Sequence, residues 1–208
     1  MNKLEIKEIS LSKEYANECF FIDDIPLHEH LKHLNKKINL EELTIAWLAP
    51  YDNDGDARFM KWLLKKDKLN LPILLCPEDL DFSCTVIIAE IKKTDKYVIW
   101  KRIGQINHSI ENLEQEKKHG IFFADNYSDE YWKKNKDIES MNIESKQWHE
   151  WTSTHWSEEL FRRRTNYTYQ CYQNDKNINW LYNCNWCFNK KEYEELIDSC
   201  KIHQKKRT

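Results

Sequence analysis

The sequence predicts an α+β fold in which a mostly antiparallel sheet, built from hairpins, is covered by helices. Two patterns carry this prediction: paired runs of β-branched and aromatic residues around short polar turns, and apolar residues that recur at helical spacing. The length of 208 residues suits a single globular domain spanning 1–208. The hairpins are predicted at about 84–103 and 165–188, and the helices at about 25–38, 57–66, 145–164 and 189–203.

The two N-terminal helices are predicted from their start signals. Asp24 followed by Pro26 is typical of a helix start, and an apolar stripe from Leu27 to Ile38 then follows at helical spacing. The second helix follows an acidic loop, and Asp56 is its predicted N-cap residue.

The hairpin at about 84–103 is the clearest β signal, because its two halves are rich in Val, Ile and Trp. Placing Lys93 opposite Lys96 leaves both faces of the strand pair largely apolar. Such a pair belongs in the middle of a sheet that is covered on both faces.

The hairpin at about 165–188 is predicted from an alternation that agrees across both halves. It aligns apolar residues on one face and asparagines on the other, with three cross-strand pairs on the apolar face. These pairs are Cys171 with Trp180, Tyr169 with Tyr182, and Tyr167 with Cys184. Asn189, with Glu192 three residues later, then starts the final helix.

The glycine count excludes several classes of enzyme. The chain has only 3 glycines, at positions 55, 104 and 120. They lie too far apart to form a dinucleotide-binding loop, a phosphate-binding P-loop or a nucleophile elbow. Since no other convergent catalytic motif stands out in the sequence, we expect a non-enzymatic protein that needs no cofactor and no metal.

Charge and cysteine usage indicate a compartment. The 32 basic and 35 acidic residues give a net charge of −3, which predicts no general attraction to nucleic acids or anionic membranes. No apolar run approaches the ~20 residues that a membrane span needs, and the N-terminus lacks a secretory h-region. Seven scattered cysteines then favour reduced thiols and a cytoplasmic location.

An alternative enzymatic interpretation is a Mg²⁺-dependent nuclease or phosphodiesterase of the PD-(D/E)xK type. Asp79 and Asp81 precede an apolar strand that ends with Glu90 and Lys92, in the order in which such nucleases place their carboxylates and lysine. Against it, no turn signal separates Asp81 from Glu90. A cross-strand pair between Glu90 and Lys101 explains the same charges without catalysis.

A third interpretation is a structural zinc site. Cys184, Cys187, Cys200 and His203 have a spacing that resembles small Cys/His zinc sites built on a hairpin and a helix. The predicted alternation, however, directs Cys184 and Cys187 to opposite faces of the strand. The alternative is that no metal binds, and that these residues are ordinary cysteines of a strand and a histidine at the end of a helix.

Two groups of residues are candidates for a surface that binds another protein. The first is an acidic loop, which can face a basic partner or serve as a solvated turn and helix cap. The second is a group of tryptophans that can form core, a protein interface or a stacking surface for single-stranded nucleic acid. The candidates are Asp52, Asp54 and Asp56 in the loop, and Trp148, Trp151 and Trp156 among the tryptophans.

Three segments resemble a group of small bacterial proteins that have no assigned activity. They are Leu75-Cys76-Pro77-Glu78-Asp79-Leu80-Asp81-Phe82-Ser83-Cys84-Thr85-Val86-Ile87-Ile88 with Trp100-Lys101-Arg102-Ile103-Gly104, and Glu158-Glu159-Leu160-Phe161-Arg162-Arg163-Arg164. In type, an aromatic-rich cytoplasmic α+β domain is also similar to the immunity proteins that neutralise secreted bacterial toxins. The expected function is therefore binding of a partner protein, and the expected partner is a toxin.

Overall fold

The computed structural model describes residues 1–10, 16–32, 39–51, 53–107 and 146–207. Side chains are described at these positions except 16, 147–149, 151–153, 156, 159 and 201–207. Helices and antiparallel sheets combine in an α+β arrangement, which confirms the predicted fold class.

The strands form two antiparallel sheets. A three-stranded sheet has the order β1-β2-β3, and a five-stranded sheet has the order β4-β5-β6-β7-β8. The first sheet consists of β1 (Leu4–Ser10), β2 (Ala16–Ile22) and β3 (Ile25–Pro26). The second consists of β4 (Thr44–Ile45), β5 (Lys68–Leu75), β6 (Val86–Lys93), β7 (Tyr97–Ile106) and β8 (Ile178–Asn189).

The described α-helices are α1 (Leu27–Leu31), α2 (Asp54–Leu64), α3 (Lys146–Arg163), α4 (Tyr169–Gln173) and α5 (Lys190–Arg207). The predicted helices at 57–66, 145–164 and 189–203 are confirmed with small shifts of their ends. The helix predicted at 25–38 is confirmed over α1 only, because Ile25 and Pro26 pair with β2 as β3, and residues 33–38 lie outside the described part of the chain. Among the described helices, none has the length and apolar character that crossing a bilayer requires.

The predicted central hairpin is confirmed as β6 and β7. Five residues of β6 are fully buried, and β5 and β7 flank it on either side, as its apolar faces require. From Ile91 to Lys93 the register differs from the predicted one by two residues, because Lys93 pairs with Val98 rather than with Lys96. Beyond a bulge between Ala89 and Ile91 it differs by three, since Ala89 pairs with Ile103. Both faces of β6 are nonetheless buried, because its apolar residues lie on both of them.

The predicted hairpin at 165–188 is wrong in its first half. Residues Arg164–Thr168 form a π-helix that continues into α4, and β8 pairs with β7 instead. The physical reason is a helical period of four: Arg164, Thr168 and Tyr172 are all buried. Two of these three residues are polar, so hydrophobic periodicity cannot reveal them.

A buried ion pair fixes that helical segment against α2. Arg164 Nε donates a hydrogen bond to the Asp56 carboxylate at 2.8 Å, and the two side chains are only 9% and 3% exposed. The N-cap residue of α2 is Asn53, whose side chain accepts a hydrogen bond from the Gly55 amide, so the prediction of Asp56 as the cap is wrong. Gly55 also lets α2 approach α3 closely, since a Cβ there would lie 2.4 Å from the Ser157 carbonyl oxygen.

The core contains a dense group of aromatic rings centred on Trp100 of β7, which is fully buried. Its indole N–H donates to the Tyr193 hydroxyl of α5 at 3.2 Å. Phe20 of β2 and Trp47 lie edge-on to the same ring, at centroid distances of 5.8 and 6.1 Å. These contacts join the three-stranded sheet and α5 to the larger sheet.

Candidate functional sites

One edge of the five-stranded sheet is long and largely unpaired in the described structure. The strand at that edge is β8, with 12 residues, whereas β4 at the opposite edge has only 2. Among the described residues, the outer side of β8 is paired only near its end, where Asn2 forms a parallel bridge with Phe188. There the Asn2 amide donates to the Cys187 carbonyl at 2.7 Å. We call the outer side of residues 178–185 the open edge.

The composition of β8 does not protect this edge. Natural proteins blunt exposed edge strands with charged residues, proline, short length or bulges. The sequence INWLYNCNWCFN contains no Asp, Glu, Lys, Arg or Pro. By contrast β1, the longer edge strand of the smaller sheet, carries Glu5, Lys7 and Glu8. Two bulges in the pairing with β7 are the devices of this kind in β8, one at Leu181 and one beside Asn185, which has a φ of 52°.

The residues of the open edge offer both hydrogen bonds and apolar contact. Asn179 and Asn183 are exposed, and Trp180 and Tyr182 are half-buried. In a strand, about half of the backbone N–H and C=O groups point towards each edge. Eight residues therefore extend over roughly 26 Å and present a pairing template that the bulge at Leu181 divides into two parts.

Of the three candidate residues in the acidic loop, the structure removes Asp56 from a partner-binding surface. Asp56 is 2% exposed and its carboxylate is held by Arg164, so it cannot reach a partner. Asp54 is exposed in the first turn of α2, and Asp52 lies outside the described residues. The tryptophans at 148, 151 and 156 all fall within α3, but their side chains lie outside the described set, so their role stays a prediction.

The structure separates the four residues of the nuclease interpretation. Asp79 and Asp81 lie in the connection between β5 and β6, where Asp81 accepts hydrogen bonds from Ser83. Glu90 lies four residues into β6, roughly 13 Å along the strand from its start. Lys92 is exposed still further along. The two aspartates and Glu90 therefore cannot hold one magnesium ion, and these residues do not make a PD-(D/E)xK centre.

Glu90 instead belongs to a network of charges. Its carboxylate accepts hydrogen bonds from Lys101, at 3.0 Å, and from Arg102, so the predicted pair with Lys101 is confirmed. Arg102 also binds Asp175 and lies over the Trp180 ring, 3.7 Å from its centroid. Burial raises the pKa of Glu90, but the hydrogen bonds from the two basic side chains outweigh it and hold the pKa below its usual value.

The three cysteines of the predicted zinc site, all within the described residues, do not come together either. Cys184 donates to the Trp100 carbonyl at 3.2 Å, and burial raises the pKa of its thiol to about 11. Asn185, in its left-handed conformation, separates it from Cys187. In the described part of the chain, neither cysteine shares a metal-ligand group with Cys200, and the His203 side chain lies outside that part.

A different group of potential ligands comes together in the connection between β5 and β6. The sulfurs of Cys76 and Cys84 and a carboxylate oxygen of Asp79 all lie within 4.8 Å of one another. Burial, together with hydrogen bonds to Asp79 and Cys76, raises the pKa of the Cys84 thiol to about 11. We call these three residues the thiol–carboxylate cluster.

Sequence reasoning did not find this cluster, because β5 was not predicted as a strand. Pro72 interrupts its apolar run, and the structure accommodates the proline at a bulge in the pairing with β6. Once β5 and β6 are paired, residues at the two ends of their connection must lie side by side. The signal was therefore a cysteine at each end of a connection between antiparallel strands.

None of the protein-family models, curated proteins or solved structures compared with the chain matches it.

Proposed function

We propose that this protein acts by binding another protein, which contributes an extended segment that pairs with the open edge of β8. The observation that supports the proposal is the long strand edge without charge or proline, left unpaired over residues 178–185 in the described structure. Strand addition of this kind draws affinity from backbone hydrogen bonds and specificity from alternate side chains.

The chemistry of the edge indicates the chemistry of the partner. A charged partner strand would lose hydration against β8 without gaining an ion pair, so the segment is expected to be uncharged. Asn179 and Asn183 favour amide or hydroxyl side chains opposite them, and Trp180 and Tyr182 favour apolar ones. The contact of Asn2 with Cys187 and Phe188 is a precedent on the same edge, because it already pairs an extended chain there.

We further propose that the partner is a secreted bacterial toxin and that binding takes place in the cytoplasm. The proposal of a toxin as partner is supported by the similarity in type to immunity proteins, and not by the geometry of β8. All seven cysteines are free thiols, which agrees with a reducing compartment.

The test measures affinity for a defined candidate, the purified product of the gene beside the one that encodes this chain. A double variant, Asn179→Lys with Asn183→Lys, places charges on the open edge at two exposed positions. We expect its Kd to rise at least about tenfold, which corresponds to about 1.4 kcal/mol. The matched control is Gln170→Lys, an exposed amide on α4, and its Kd should stay within about twofold of the unmodified protein.

Circular dichroism and thermal unfolding establish that both variants are folded before affinities are compared. Equal affinity of the edge variant and the control would contradict the proposed docking site. A second outcome would also contradict the proposed partner: the protein does not bind the candidate but forms a dimer, and the edge variant abolishes that dimer. Such a result would show that a second copy of the chain occupies the open edge.

A further inference from the structure

We propose that Cys76, Asp79 and Cys84 bind a zinc ion. The inference is independent of the proposed partner binding, since it concerns the connection between β5 and β6 rather than the open edge of β8. It is carried by the position of the three ligand atoms, which lie within 4.8 Å of one another.

The distances need little adjustment to suit zinc. With Zn–S bonds of about 2.3 Å and a Zn–O bond of about 2.0 Å, tetrahedral ligands lie roughly 3.5 to 3.8 Å apart. The three atoms therefore have to approach one another by about 1.3 Å at most. Rotation of short side chains can supply such a movement without a change in the backbone.

The backbone holds the two cysteines side by side. Cys76 follows β5 directly, and its amide donates to the Thr85 carbonyl at 3.0 Å, which extends the pairing of β5 with β6 by one step. Cys84 precedes Thr85 and so lies diagonally across from Cys76. Each cysteine is half-buried, so an ion between them has protein on one side and access to water on the other.

A tight turn brings Asp79 back towards the cysteines. The Leu80 amide donates to the Cys76 carbonyl at 3.2 Å, and Leu80 has a φ of 47°. That left-handed conformation is strained for a leucine, and strain of this kind persists only where surrounding structure enforces it. Here Phe82 is 1% exposed and its carbonyl accepts a hydrogen bond from the Tyr172 hydroxyl at 3.1 Å. The loop is therefore anchored in the core next to the cluster.

The donor set selects the metal. Two thiolates are soft ligands that favour zinc over magnesium or calcium, and a carboxylate completes a three-ligand set that zinc accepts. The exposed Asp79 side chain leaves space on the solvent side for a water molecule in the fourth tetrahedral position. Three protein ligands with one exchangeable position are the arrangement of zinc sites that remain open to another ligand.

The first measurement uses the full, reduced chain, stripped of metal with a chelator and titrated with Co²⁺ and then Zn²⁺. We expect about one equivalent of Co²⁺ to give the charge-transfer and d–d bands of tetrahedral thiolate coordination, and Zn²⁺ to abolish them. An octahedral cobalt spectrum, or no uptake by the reduced protein, would overturn the proposal.

The second measurement compares variants. Cys76→Ser and Cys84→Ser should lose the thiolate bands, and Asp79→Asn should weaken zinc binding by at least about tenfold. Cys187→Ser is the matched control, because Cys187 is also a half-buried free cysteine but lies on β8. Its affinity for zinc should be unchanged. Loss of binding in Cys187→Ser with retention in Cys76→Ser would refute the assignment.

A footprint on the unmodified protein covers the case in which a variant fails to fold. Zinc should slow alkylation of Cys76 and Cys84 while the half-buried cysteines at 171, 184 and 187 react as before. Equal protection of all five thiols, or protection of none, would contradict zinc binding at this cluster.

Discussion

Replacing Asp56 by Asn tests the buried ion pair that connects α2 to the segment after α3. The carboxylate accepts from Arg164 at 2.8 Å, and both side chains are more than 90% buried. Removing one partner of such a pair leaves the other charge buried without compensation, which costs about 3 to 5 kcal/mol. The amide keeps the shape of the carboxylate, so we expect a loss of about 3 kcal/mol.

Urea unfolding, followed by circular dichroism, measures this loss. In a chain of this length, about 3 kcal/mol lowers the Tm by about 6 to 12 °C. The double variant Asp56→Asn with Arg164→Met should be more stable than the sum of the single variants allows, because the unpaired charge is gone. Glu195→Gln is the control, since its pair with Lys191 is exposed and contributes about 0.5 kcal/mol at most.

The reasoning would be refuted by a loss below about 1 kcal/mol for Asp56→Asn, or by additive effects in the double variant. The same experiment distinguishes the structure from the expectation that the acidic loop faces a partner. An exposed carboxylate at position 56 could be replaced with almost no change in stability.

Three more predictions concern charge, close packing and the anchored loop. The lowered pKa of Glu90 stabilises the folded protein above about pH 4.5, and this stability is lost as the pH falls through the lower pKa of the folded state. Glu90→Gln should therefore make the free energy of unfolding in urea less sensitive to acid. An unchanged pH profile would contradict this. Gly55→Ala should lower the free energy of unfolding by about 1 to 3 kcal/mol, because the new methyl group would lie 2.4 Å from the Ser157 carbonyl oxygen. An unchanged free energy of unfolding would mean that α2 and α3 are further apart than the structure shows. Tyr172→Phe removes the hydrogen bond to the Phe82 carbonyl and should weaken zinc binding, which metal titration measures, although no ligand is removed. Unchanged affinity for zinc would show that this hydrogen bond does not position the thiol–carboxylate cluster.

The sequence predicts the central part of the fold because there the hydrophobic pattern and the burial agree. In β6 a continuous apolar run is buried on both faces, so periodicity is sufficient to identify a central strand. Around residue 168 the pattern and the burial disagree. Arg164 is buried in an ion pair with Asp56, which lies more than 100 positions away, and Thr168 accepts a hydrogen bond from Arg164. No local sequence pattern contains that information.

The candidate sites were harder to predict than the fold. The open edge of β8 depends on which strands pair, and the sequence favoured a partner at 165–173 that is helical in the structure. The thiol–carboxylate cluster depends on β5, whose Pro72 hides a strand in the middle of the sheet. In both cases the residues themselves can be read from the sequence. Which of them lie close together, or stay unpaired, depends on the pairing of strands that are distant in the sequence.

Hydrogen exchange along β8 tests the proposed docking site most directly. Backbone amides on the open edge lack a pairing strand in the described structure, so alternate amides in residues 178–185 should exchange rapidly in the free protein. Addition of the candidate partner should slow the exchange of these amides and leave those of β6 unchanged. Slowed exchange on another surface, with β8 unchanged, would contradict strand pairing at this edge.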